Sequence, residues 1–229
     1  MPESARSRHG TGCSGYNGTS WYEEKFLPKI SPITLVALLF TGHELRKMHS
    51  WEAPPDIEPW YGRKLAKHDR YLAQYKAGEV RINDDAKIIA FIEDHLPMMK
   101  DRPNLFQHDD YHLRNLVIKD RSLAGAIDFG RHDWGDPIHE FLKVGQFCSS
   151  VSIDFSVGQI RGYYDGQKIT DEFWELYSLY IAMSSFSFVI WTQHVCPERM
   201  SETMNIIERV LLDHDWFERN RPKWYSDYQ

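Results

Sequence analysis

The chain has 229 residues, of which 42% are hydrophobic and 14% aromatic. This length and composition suit a globular protein with a sizeable core and exclude a disordered chain. The formal net charge is −6 and the sequence has no basic cluster, which argues against a nucleic-acid-binding protein.

The sequence predicts a cytoplasmic protein with no membrane partner. Arg6 and Arg8 are not followed by the apolar stretch of a signal peptide. The longest apolar run, residues 33–40, is too short to cross a bilayer. The three cysteines are few and widely spaced, as is typical of a reducing compartment.

Hydrophobic periodicity and capping residues predict a mostly helical domain after a polar start. Residues 1–20 are rich in Gly and Ser and are expected to form a flexible tail, so that residues 21–229 make the folded part. Ser31 and Pro32 have the pattern of a helix start, and a Pro-rich linker follows that helix. The predicted helices span residues 31–50, 60–77, from 83 through Leu96, 137–149, 170–194 and 198–212.

One β-hairpin interrupts these helices. Residues 116–118 are predicted to form a short strand, residues 119–122 a turn and residues 123–127 the returning strand. The predicted fold class is therefore α+β, mostly α, with the hairpin following a polar loop at residues 107–115.

That loop and the segment after the hairpin, residues 127–130, contain the main chemical signal. Asp110 and Asn115 have the five-residue separation of the catalytic loop H-R-D-x-x-x-x-N of kinases, and Asp128 begins a D-F-G sequence. In such sites the first Asp takes the proton of the acceptor hydroxyl, while the Asn and the second Asp bind Mg²⁺. The hairpin is expected to return Asp128 to a position beside Asn115.

Each feature alone also has an ordinary explanation, because Asp and Asn are common in turns, where they bond to the local backbone. Four residue types in a fixed order around a strand-turn-strand pattern favour the phosphotransferase interpretation over turns alone.

These residues resemble the aminoglycoside phosphotransferase family, whose loop reads H-G-D-x-H-x-x-N. His108, Asp110, His112 and Asn115 match it, while Asp109 stands in place of the usual Gly. Further on, the family's G-D-P corresponds to Gly135, Asp136 and Pro137, and its next Asp corresponds to Glu140. The segments Gly158 to Tyr164, Phe173-Trp174 and Trp224-Tyr225 resemble a bacterial subgroup whose substrate the sequence does not identify.

The resemblance implies the C-terminal lobe of a protein-kinase-like fold, with Asp110 as base and Asn115 and Asp128 as Mg²⁺ ligands. It implies transfer of the γ-phosphoryl of ATP or GTP to an alcohol of a small molecule. For supporting residues the sequence leaves alternatives open. His108 is expected to brace the loop, His112 to contact the substrate or pack within the loop, and Asp136 to anchor the loop backbone or cap a helix.

The chain departs from the family before the first predicted helix, where members have a β-rich lobe that holds the nucleotide. Gly10, Gly12 and Gly15 form a G-x-G-x-x-G pattern, but no apolar strand precedes it, so it is weak support for a nucleotide loop. We therefore expect this lobe to be missing, with weak or no activity and self-association through the uncovered surface. The alternatives are a non-catalytic binding module or decayed remnant and, on the adjacent His108 and Asp109, a His-Asp metal-dependent hydrolase.

Overall fold

The computed structural model describes residues 32–120 and 122–228, with side chains from residue 39 onward. The predicted tail, the G-x-G-x-x-G pattern and the capping Ser31 lie outside this part of the chain. The described residues form seven α-helices, which are α1 (Pro32–Met48), α2 (Trp60–Ala77), α3 (Asp85–His95), α4 (Ile153–Tyr164), α5 (Asp171–Val195), α6 (Met200–Asp213) and α7 (Lys223–Ser226). The mostly helical fold class is therefore confirmed for the described residues.

Helix α5 is the centre of the core. The Thr170 side chain accepts a 3.2 Å hydrogen bond from the backbone N–H of Phe173, as the sequence predicts for a capping residue. Most residues of α5 are buried, and the helix packs against α2, α3 and α6. Among the described residues it is the one helix long and apolar enough to cross a membrane, and 83% of its most apolar window is buried within the protein. This burial is typical of a central core helix.

Helices α1 and α4 cross at two glycines. A Cβ atom at Gly42 would lie 2.1 Å from the carbonyl oxygen of Gln159, and one at Gly162 would lie 2.0 Å from that of Leu39. The two backbones are therefore in direct contact, and no side chain fits between them. Helix α4 was not predicted because glycine inside a helix weakens the sequence signal.

The predicted hairpin is confirmed, and a second small sheet lies beside it. Strands β2 (Leu116–Lys119) and β3 (Ser122–Ala126) pair antiparallel, with Leu116 opposite Ala126. Strand β1 (Leu105–Gln107) pairs with β4 (Asp133–Gly135). The three-residue strands of this second sheet are too short to show an alternating pattern, so the sequence did not predict them.

The helix predicted at residues 137–149 is wrong in type. The segment is divided into a 3₁₀ turn (Pro137–Phe141) and a π-helical turn (Val144–Cys148). Gly145 packs against Tyr177 and Ile181 of α5, where a Cβ would lie 2.2 Å from the Tyr177 hydroxyl. This close packing, and the hydrogen bonds that Arg209 donates to the carbonyl oxygens of Gly145 and Gln146, stabilise the wider turn.

Candidate active site

The loop after β1 turns sharply at Asp109. Its φ angle of +56° lies in the left-handed region, where glycine has no steric cost and Asp is among the tolerated residues. The resembling family has glycine at this position, and the backbone conformation gives the physical reason. The turn directs the chain into a 3₁₀ turn at Leu113–Asn115, which leads into β2.

Glu140 holds this loop from within the core. Its carboxylate accepts hydrogen bonds from the backbone N–H groups of Asp109 (3.0 Å) and Tyr111 (3.1 Å). The buried His49 ring lies 3.8 Å from the same carboxylate. Burial opposes ionisation of Glu140, but His49 and the two N–H donors outweigh it, so the pKa of the carboxyl is lowered. Glu140 is therefore the residue that anchors the loop backbone.

Asp110 is partly buried and has partners at both carboxylate oxygens. Oδ1 lies 3.1 Å from Nζ of Lys143 and 3.6 Å from Nε2 of His112, and Oδ2 lies 3.3 Å from Nδ2 of Asn115. Burial raises the pKa of Asp110, but His112, Lys143 and Arg131 outweigh burial and lower the pKa below its usual range. Asp110 is therefore ionised at neutral pH.

Asn115 connects Asp110 to the hairpin that carries Asp128. Its side-chain Nδ2 also donates to the backbone carbonyl of Asp110 (2.9 Å). The backbone carbonyl of Asn115 accepts a hydrogen bond from the N–H of Ile127 (2.9 Å). The hairpin thus returns the backbone beside Asn115 one residue before Asp128. The Asp128 carboxylate is exposed and, within the described residues, makes no hydrogen bond or ion pair.

His108 and His112 support the loop in different ways. The buried His108 ring contacts the Ile127 carbonyl through Nε2 at 2.9 Å and lies beside Phe129. It ties the start of the loop to the end of the hairpin. His112 caps the 3₁₀ turn, since Nδ1 accepts from the N–H of Arg114 at 3.4 Å, and its other nitrogen faces Asp110.

Asp136 acts as a cap and an ion-pair partner. Its buried carboxylate accepts from the N–H of Ile138 (3.0 Å), from Nε of Arg102 (2.7 Å) and from the Tyr180 hydroxyl (2.8 Å). The carboxylate makes no hydrogen bond to the backbone of the loop, although the backbone carbonyl of Asp136 accepts one from the Gln107 side chain. Of the two predicted roles, the geometry of the carboxylate fits the helix-cap role.

Two lysines at the site have no counterpart in the sequence motifs. Lys143 reaches Asp110 from between the 3₁₀ and π-helical turns. Lys64 is buried behind the loop, with Nζ 2.7 Å from Nε2 of His139, whose Nδ1 lies 3.6 Å from Asp109. Burial lowers the pKa of Lys64 to about 7. No local pattern around either lysine predicts these contacts, which depend on tertiary packing.

The side chains of Asn115 and Asp128 fit the oxygen ligation that Mg²⁺ prefers. Because Asn115 donates through Nδ2, its Oδ1 is left without a partner among the described residues. The unpaired Asp128 carboxylate adds two more oxygens. Across residues 32–120 and 122–228, no three His, Cys, Asp or Glu side chains are grouped to hold a metal.

Sequence comparison identifies the family. The family model described as the phosphotransferase enzyme family, APH, matches residues 28–174, which is more than half of the chain and includes the loop, the hairpin and Glu140. The chain belongs to this family. A comparison with curated proteins finds no match at the level of sequence.

Solved structures of phosphotransferases share the fold. A gentamicin–APH(2")-IIa complex superposes with a TM-score of 0.56 at 18% identity, covering 79% of this chain and 64% of the other. A choline/ethanolamine kinase family protein from Mesorhizobium loti superposes with a TM-score of 0.60 at 14% identity, covering 84% of this chain and 70% of the other. APH(4)-Ia in a ternary complex with ADP and hygromycin B superposes with a TM-score of 0.55 at 12% identity, covering 79% of this chain and 66% of the other. The chain thus has a kinase-like fold and spans about two thirds of these relatives.

Proposed function

We propose that this phosphotransferase-family chain forms the C-terminal lobe of a small-molecule kinase that transfers the γ-phosphoryl of ATP or GTP to an alcohol. The observation that carries the proposal is the hydrogen bond between the side chains of Asp110 and Asn115, with the hairpin returning Ile127, the residue before Asp128, to the backbone of Asn115. The family match and the kinase-like neighbours support the reaction class.

The residues divide the chemistry between them. Asp110 accepts the hydrogen bond of the acceptor hydroxyl and then its proton, while the acceptor oxygen forms a bond to the γ-phosphorus. The bond between that phosphorus and the β,γ-bridging oxygen breaks, and its electron pair leaves with ADP or GDP. Asn115 and Asp128 would hold Mg²⁺, which when bound neutralises charge on the phosphates.

The acceptor is proposed only as a class. The structural neighbours were solved with gentamicin and with hygromycin B, and one belongs to the choline/ethanolamine kinase family. Aminoglycosides, choline and ethanolamine therefore head the panel of acceptors to test, followed by macrolides and small alcohol metabolites.

Nucleotide titration of three proteins tests the metal and base assignments. Calorimetry with Mg²⁺-ATP and Mg²⁺-GTP is expected to show weak binding by the wild type, further weakened in Asp128→Asn because a metal ligand is lost. Asp110→Asn should keep nucleotide affinity while reducing any phosphoryl transfer by more than about 100-fold. Asp120→Asn, at an exposed hairpin position, is the matched control and should match the wild type.

Each outcome of this titration has a definite meaning. Equal binding by Asp128→Asn and the wild type would reject the metal assignment. Binding without transfer to any acceptor would favour the alternative, a non-catalytic binding module. Rapid transfer by the chain alone would show that it needs no further nucleotide-binding lobe. The expected absence of that lobe concerns residues before α1 and stays a prediction.

A further inference from the structure

A lysine outside the family motifs lies against the proposed base. Lys143 Nζ is 3.1 Å from Oδ1 of Asp110, and the lysine side chain is only 12% exposed, so the pair is partly shielded from solvent. The Lys143 ammonium also lies 5.6 Å from the centre of the Phe147 ring, which faces His112. The Lys143 ammonium is therefore held beside Asp110 by the ion pair and by the nearby Phe147 ring.

The backbone around Lys143 is fixed on both sides. The 3₁₀ turn before it contains Glu140, which bonds to the loop of Asp110, and the π-helical turn after it is bonded to Arg209 of α6. Lys143 and Asp110 are thus joined through Glu140 as well as through their own ion pair. This double connection defines the position of the lysine relative to the base.

The distance to Asp110 places Lys143 within reach of the reacting group. An acceptor hydroxyl bonded to Asp110 lies about 3 Å from it, and the phosphorus it attacks lies about 3 Å beyond the hydroxyl. A four-carbon side chain whose ammonium touches Asp110 covers that range. The transferring phosphoryl carries its charge on three oxygens, which a cation stabilises.

We propose that Lys143 is a further catalytic residue of the proposed reaction, which binds the transferring γ-phosphoryl and, in the absence of nucleotide, pairs with Asp110. The inference rests on the proposed function. When the ammonium moves toward the phosphoryl, it leaves Oδ1 of Asp110, which is then free to accept the hydrogen bond of the acceptor hydroxyl. Asn115, His112 and Arg131 remain to orient and ionise it.

Comparing ATP with ADP tests the phosphoryl contact. Lys143→Met should lower affinity for Mg²⁺-ATP by about 10-fold or more and leave affinity for Mg²⁺-ADP unchanged, because only ATP carries the γ-phosphoryl. Lys143→Arg should retain most of the preference for Mg²⁺-ATP over Mg²⁺-ADP. Lys168→Met, at an exposed position between α4 and α5, is the control and should bind both nucleotides as the wild type does.

A titration without nucleotide tests the ion pair. Carbon NMR of the Asp side chains, with Asp110 assigned through Asp110→Asn, should show the Asp110 midpoint rising by about 1–3 pH units in Lys143→Met. It should stay low in Lys143→Arg and Lys168→Met. An unchanged midpoint would overturn the pairing, and equal losses for ATP and ADP would overturn the phosphoryl contact.

The two tests separate this inference from the proposed function. If Asp128→Asn weakens nucleotide binding but Lys143→Met does not discriminate ATP from ADP, the function stands and the role of Lys143 is rejected. If the wild type binds neither nucleotide, both the function and the phosphoryl contact are rejected, and the NMR shift still decides whether Lys143 pairs with Asp110.

Discussion

Lys64 is a buried amine enclosed by aromatic rings behind the catalytic loop. Its Nζ lies 5.5 Å from the centre of the Trp60 ring and 5.9 Å from that of Tyr180, and it bonds to His139. Burial is the main reason that its pKa is about 7, and Lys67 and Lys143 lower it further, whereas Asp109 and Asp133 raise it. A lysine with such a pKa links stability to pH.

The sign of this link follows from the two pKa values. Unfolded Lys64 titrates near 10.5 and folded Lys64 near 7, so between these values the unfolded chain binds more protons. The contribution of Lys64 to the free energy of unfolding therefore rises with pH, by up to about 1.4 kcal/mol per pH unit. Lys64→Met should lose this rise.

Urea unfolding at pH 7 and pH 9 measures the pH-dependent contribution of Lys64 to the free energy of unfolding. From the lower to the higher pH, the wild type should gain about 2 kcal/mol relative to Lys64→Met. Lys76→Met, at an exposed position on the same helix, should keep a constant difference from the wild type. A constant difference for Lys64→Met as well would mean that Lys64 stays charged in the folded protein up to pH 9.

At the scale of elements, the crossing of α1 and α4 depends on two residues without side chains. A methyl group at Gly162 would overlap the backbone of Leu39, and backbone atoms cannot rotate away as a flexible side chain can. Gly62, in the first turn of α2, provides the opposite case, because a Cβ there meets nothing within 4 Å.

The two glycines should respond oppositely to alanine. Gly162→Ala should lower the free energy of unfolding by about 1–3 kcal/mol or more, since the helices must separate. Gly62→Ala should leave it unchanged or raise it by up to about 1 kcal/mol, because alanine favours a helix and restricts the unfolded chain. Thermal or urea unfolding of both variants decides. A stabilising Gly162→Ala would contradict the close contact of the helices.

At the scale of the whole molecule, large apolar side chains are exposed around the candidate site. Trp51 is 66% exposed, Ile118 56% and Ile127 51%. The Trp51 ring lies 6.0 Å from Phe106, which neighbours Phe129, and the two isoleucines lie on and just after the hairpin. Exposed apolar groups close to one another favour association.

We expect the purified chain to self-associate through these residues. Sedimentation velocity should show a mass that rises with protein concentration, and the double variant Trp51→Gln and Ile118→Thr should reduce the rise. Leu212→Gln removes a similarly exposed side chain on α6 and should have no effect. A wild type that stays monomeric at all accessible concentrations would reject the prediction.

How far the sequence could predict the structure depended on the range of the signal. The Thr170 cap and the strand-turn-strand order of the hairpin are local patterns, and α5, α2 and β2–β3 formed where they were predicted. The predicted return of the hairpin to Asn115 is present as the backbone hydrogen bond from Ile127, while the roles of Asp110, Asn115 and Asp128 stay predictions. Helix α4 and the π-helical turn depend on glycines that pack against other elements. The contacts of Lys143 and Lys64 likewise arise between distant segments, and no local pattern contains them.

The bonds from Glu140 to the loop have a consequence for solvent exchange. The N–H groups of Asp109 and Tyr111 lie in a short irregular loop, where backbone amides ordinarily exchange their hydrogen with water quickly. Here both donate to one buried carboxylate. They should therefore exchange together, and only when Glu140 and the loop separate. The hydrogen-exchange rate of these two amides therefore reports how often the candidate site opens, and it can be measured with no substrate or nucleotide present.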